Sequence, residues 1–140
     1  MNALGHFVYL ISYLAFGVAA TLTHFLIDPF SSIPALGASG AIAGMLGFYL
    51  ILYPAVRVLT LIPIFVFFWL VRVPAVAFLF IWFIFQTFSG VATVGQQVGG
   101  GVAYWAHIGG FLAGVALGVL FRVLSKQLAD GTYRPRWERT

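Results

Sequence analysis

Polar residues are so sparse in this chain that they act as punctuation between long apolar runs. The first run, Ala3 to Ile27, is long enough at about 1.5 Å per residue to cross a hydrocarbon core of about 30 Å. It has no basic leader and no cleavage-site pattern, so it is predicted to be a spanning helix rather than a signal peptide. Asp28-Pro29-Phe30-Ser31-Ser32-Ile33-Pro34 ends it, because two prolines and an aspartate do not continue a helix. The second run, Leu36 to Tyr53-Pro54, is short for a full crossing, and its start is expected below the membrane surface. The fourteen residues between Arg57 and Arg72 are apolar except for Thr60 and are interrupted by Pro63. They are too few to bridge the core, and the arginines at both ends predict an interfacial or re-entrant connection that returns to the side it left. A third span is predicted from Val73 to Ala92, then a glycine-rich loop from Gly95 to Gly101 that would cap a water-accessible cavity. A fourth span follows from Ala103 to Leu124, and the remainder, Ser125 to Thr140, is polar.

The expected fold is therefore all-α: a polytopic transmembrane helix bundle of about four spanning helices with one re-entrant or interfacial segment. Residues 1–124 would form the transmembrane domain and residues 125–140 a polar tail. Composition agrees, since 62% of residues are hydrophobic and 7% charged, whereas a water-facing surface needs a quarter or more of charged positions. The absence of cysteine excludes disulfides and thiolate metal sites. A net charge of +4 would suit nucleic acid, but its placement argues for topology instead. With four alternating spans, Arg57, Arg72, Arg122, Lys126, Arg134, Arg136 and Arg139 all fall on one side, and Asp28–Ala35 and Thr93–Val102 on the other hold no basic residue. The positive-inside rule makes the C-terminal side cytoplasmic. Brief loops and tail suggest a bacterial inner membrane.

Two strings in these apolar helices carry chemistry: Gly37-Ala38-Ser39-Gly40 opens the second span and Ala106-His107-Ile108-Gly109-Gly110 the fourth. Both helices enter from the same side, so Ser39 and His107 share a depth. A serine hydroxyl becomes a useful nucleophile when an imidazole takes its proton and later returns it to the leaving group. Small residues at every fourth position, Ser39, Ala43 and Gly47 on one helix and Gly110, Gly114 and Gly118 on the other, would let the backbones approach closely. Gly37 and Gly40 would leave backbone open to a substrate carbonyl, and the unpaired N–H groups at the helix start could stabilise an oxyanion. His6 and His24 lie on one helical face but about 27 Å apart, too far to share a metal, and are expected to be structural or interfacial. Asp28 is expected to terminate a helix, with a triad role toward His107 as the alternative. Trp82 and Phe83 are expected to pack or face lipid, and Gln86 to donate a hydrogen bond between helices. A channel or transporter would need more polar groups at mid-membrane than the spans provide.

Gly37-Ala38-Ser39-Gly40-Ala41 followed by Ala106-His107-Ile108-Gly109-Gly110-Phe111-Leu112-Ala113-Gly114 resembles the rhomboid family of intramembrane serine proteases. Leu4-Gly5, Phe7 and Tyr13 in the first span extend the likeness, as do Trp82-Phe83 with Gln86 in the third and Ala103-Tyr104-Trp105 before the histidine. The resemblance implies Ser39 as nucleophile, His107 as general base, no metal and no cofactor. It also implies transmembrane protein substrates met in the lipid bilayer, and no nucleic-acid partner. Rhomboids have a six-helix core, and this chain lines up with it from the third helix. The two preceding helices, one of which supplies a histidine and an asparagine to the oxyanion, fall outside it. Losing one oxyanion donor costs about 10²–10³ in rate. The sequence thus carries two readings: an endopeptidase, or a catalytically impaired rhomboid-like protein that binds client helices without cleaving them.

Overall fold

In the computed structural model, which describes residues 5–31, 37–64, 66–93 and 103–129, the order of elements is helix, helix, hairpin, helix, helix. Helices α1 (Gly5–Ile27), α3 (Ala75–Thr93) and α4 (Tyr104–Ala129) are long and apolar enough to cross a membrane. Helix α2 (Gly37–Leu52) has 16 residues, about 24 Å of length, and is short for a full crossing, as the sequence predicts. The proposed cap at Gly95–Gly101 and most of the polar tail lie outside the described residues. Helix α4 continues past the expected end at Leu124 to Ala129, because Lys126, Gln127, Leu128 and Ala129 are good helix formers.

The bundle is assembled around α2, which touches α1 on one side and α4 on the other through residues without side chains. A Cβ built at Gly40 would strike the Ala20 side chain and lie 3.2 Å from the Ala106 carbonyl oxygen. At Gly44 it would collide with Phe16, and one at Gly114 would collide with the Gly44 carbonyl. Gly110 meets the Gly40 carbonyl, and Gly118 meets Ile51. These levels rise together, so α2 and α4 run parallel, as alternation of four spans requires. Helix α3 runs antiparallel to α4: Leu79 and Phe83 pack on Phe111, while Trp105 Nε1 donates to the Gly90 carbonyl at 3.1 Å. With no hydrophobic effect between helices in lipid, such close backbone approach is a main source of adhesion.

The sequence anticipates four-residue stripes on both helices, and the α4 stripe is present. On α2 the seam is displaced. Gly40, Gly44 and Gly47 form it, not Ser39, Ala43 and Gly47, because only glycine brings backbones into contact. Ser39, one residue and about 100° away, is itself exposed, whereas Ala43, one turn further along the same face, is buried with Leu79 and Phe111.

The connection between α2 and α3 departs from a purely helical architecture. It is an antiparallel hairpin of β1 (Arg57–Ile64) and β2 (Phe67–Pro74), in register from Arg57 opposite Pro74 to Ile64 opposite Phe67. It does return the chain to the end it left. Val58, Thr60, Ile62, Val71, Val73 and the aromatics favour the extended state, and Pro63 disfavours a helix. A hydrogen bond from Ala75 N to the Val56 carbonyl, 2.9 Å, ties the base of the hairpin to α3.

Candidate active site

Helix α2 begins inside the bundle rather than at its end. Gly37 packs against Gly17 and Thr21 of α1, and α1 continues six residues beyond Thr21, about 9 Å further along the axis. Tyr13 Oη also donates to the Ala38 carbonyl at 3.4 Å. The first turn of α2, which contains Ser39, therefore lies short of the C-terminal end of α1.

The structure brings the backbones flanking Ser39 and His107 together. Gly40 follows Ser39 and Ala106 precedes His107, and these positions face each other so closely that a Cβ at Gly40 would lie 3.2 Å from the Ala106 carbonyl oxygen. Serine and histidine thus belong to one layer of the bundle, Ser39 exposed and His107 half-buried. Gly40 itself is buried against Ala20 and Ala106, which corrects the expectation that it offers open backbone to a substrate. Its missing side chain serves helix packing.

His107 has a definite partner. Its Nδ1 lies 2.9 Å from Oε1 of Gln86 on α3. A carbonyl oxygen only accepts, so Nδ1 carries the proton and Nε2 keeps its lone pair. The ring also lies 6.1 Å from that of Trp82, which in turn packs 5.8 Å from Phe111. Trp82 and Phe83 are thus packing residues, and Gln86 does bridge helices, but as the acceptor. Asp28 does not take that place. Its N–H bonds to the His24 carbonyl at 2.9 Å and its carbonyl accepts from Ser31 at 3.1 Å, so it closes α1 as a terminator does. In the sequence Gln86 stands out only as a polar residue able to bridge helices; the signal for its pairing is its position one turn beyond Trp82 on the helix antiparallel to that of His107.

The other histidines separate. His6 is exposed, whereas His24 is buried, one turn beyond Ala20 on the stripe Ser12, Phe16, Ala20, His24. Among the described residues neither ring nitrogen of His24 has a hydrogen-bond partner. Beside the first turn of α2, an apolar groove of about 450 Å³ runs between α1 and α2 past Tyr13, Gly17, Thr21, Gly37 and Ala38.

A family model described as Rhomboid domain matches residues 1–123 of the 140. No curated protein matches the chain, and neither does any solved structure. The matched stretch takes in all four helices apart from the last turns of α4, the hairpin, and both Ser39 and His107. A helical bundle with apolar, membrane-length helices and a family match over most of its length belongs to the rhomboid family.

Proposed function

We propose that this chain is an intramembrane serine endopeptidase that hydrolyses peptide bonds of transmembrane substrates with Ser39 and His107 as a catalytic dyad. The observation that carries this reading is the His107–Gln86 hydrogen bond, which holds the imidazole in the tautomer a general base needs. The contact between Gly40 and Ala106 and membership of a family generally made up of intramembrane proteases support it further.

In this mechanism Ser39 Oγ attacks the scissile carbonyl while His107 Nε2 takes its proton. The negative charge on the tetrahedral oxygen is met by N–H groups at the start of α2 that have no intrahelical partner. Collapse breaks the C–N bond, and the amine leaves with the proton from Nε2. Water then gives a proton to Nε2 and attacks the ester, releasing the acid and restoring Ser39. The groove beside Gly37 and Ala38 provides an apolar approach for an unwinding substrate helix. The catalytic unit is residues 1–124. The site lies toward the non-cytoplasmic face, with segment 125–140 in the cytoplasm of a bacterial cell whose inner membrane holds the chain.

A fluorophosphonate probe tests the nucleophile. Labelling of the folded, purified protein is expected on the peptide that contains Ser39, and absence of reaction there favours client binding without cleavage. Gln86 has its own signature. Gln86→Leu removes an acceptor worth about 1.4 kcal/mol and is expected to lower kcat/KM about tenfold, whereas Gln86→Glu retains the acceptor and more of the rate. Equal rates in all three proteins would leave Gln86 without a part in orienting the base.

A further inference from the structure

We propose that the β1–β2 hairpin is a membrane-interface anchor whose ligand is the phosphate of anionic phospholipids, held between Arg57 and Arg72. The strand register places both arginines on one face: Arg57 is opposite Pro74 and Leu59 is opposite Arg72, which makes the two guanidinium-bearing positions diagonal neighbours. Both are exposed. Like charges at that spacing repel unless an anion lies between them, and two planar guanidinium forks suit a phosphate. Among the described residues no acid is placed to serve. Among the described residues the single carboxylate is Asp28, which follows α1 at the opposite end of the bundle. Arg122 and Lys126 near the end of α4 add to the same positive end.

Beyond the arginines the hairpin is apolar except for Thr60, and among the described residues its aromatic side chains are left largely exposed. Phe67, Phe68, Trp69 and Leu70 are each about two-thirds exposed or close to it, at 66%, 66%, 61% and 66%. Such a surface does not stand in water, yet a two-stranded ribbon has two open edges whose N–H and C=O groups do not enter hydrocarbon unpaired. Both demands are met in one place, the headgroup–acyl boundary, where backbone edges stay hydrated, aromatic side chains are favoured and arginines reach the phosphate level. The Ala75–Val56 hydrogen bond and buried Ala75 fix the hairpin to the start of α3, so an anchored hairpin sets the depth of the helix that carries Gln86. The anchor stands whether or not the dyad is catalytic.

The absence of cysteine makes the test clean. Val66, 79% exposed between the strands, is replaced in the full chain by cysteine (Val66→Cys) and labelled with an environment-sensitive nitrobenzoxadiazole dye. The labelled protein is reconstituted in vesicles of phosphatidylcholine alone or with phosphatidylglycerol. The expected result is emission shifted to shorter wavelength in the anionic vesicles. That shift should be reduced by added salt and by Arg57→Gln with Arg72→Gln, and retained by Arg57→Lys with Arg72→Lys. Water-like emission in anionic vesicles overturns the anchor. An equal shift in both vesicle types, untouched by the arginine changes, overturns the phosphate site.

Discussion

Ser39→Ala is expected to abolish proteolysis while leaving the bundle and its capacity to hold a substrate helix intact. Loss of a serine nucleophile removes the covalent route altogether and lowers turnover by roughly 10⁴-fold or more. The substitution is expected to be tolerated by the fold, because Ser39 is exposed and lies off the glycine seam. Cleavage of a single-span reporter co-reconstituted with the protein reads the loss, and crosslinking to the same reporter reads retained binding. Cleavage at an undiminished rate would place the nucleophile elsewhere. Binding without cleavage in the unsubstituted protein as well would make it a client-binding member of its family.

The second large effect is structural. Gly114→Val is expected to prevent assembly of the bundle. A Cβ there meets the Gly44 carbonyl and comes within 2.9 Å of the Phe48 nitrogen. Both are backbone atoms of a helix and have no rotamer to escape into. Overpacking typically costs about 1–3 kcal/mol when side chains can adjust. Here α2 and α4 must separate, which is a large part of a total stability of about 5–15 kcal/mol. Gly17→Ala is the matched control, since its Cβ would meet ordinary contacts of 3.4 Å and 3.5 Å. Size-exclusion profiles and thermal midpoints in detergent should show the valine variant aggregated or strongly destabilised and the alanine variant close to the parent. A well-behaved Gly114→Val protein would mean that the α2–α4 contact is not what holds the bundle.

The membrane setting was plain in the sequence because apolar length is a one-dimensional property. Twenty or so residues without charge mean the same thing in any tertiary context. Direction was equally legible for α2 and α4, since alternation of spans makes them parallel and the glycine contacts show them so. The short second run indicated a helix too short for a full crossing, and α2 has 16 residues. What it did not carry was rotation. Ser39-Ala43-Gly47 and Gly40-Gly44-Gly47 are both plausible small-residue stripes, and the choice between them depends on where Phe16, Ala20 and Ala106 sit. The connection between Arg57 and Arg72 shows a similar limit. Its length ruled out a crossing, but an apolar run of that kind does not by itself distinguish strand from irregular chain.

The sequence by itself determined which chemical groups this protein brings into the bilayer, which of its runs are long and apolar enough to cross and which family it belongs to. Each follows from composition, length or a contiguous motif. Tertiary structure decided which group each one faces: Gln86 rather than Asp28 beside His107, Gly40 rather than Ser39 in the helix seam, and two arginines on one face of a hairpin. The physical reason is that a helix in lipid presents apolar residues on every side, so the usual cue of one oily and one polar face is missing. Orientation is then set by the fit of backbones and side chains between helices, which a linear pattern does not contain.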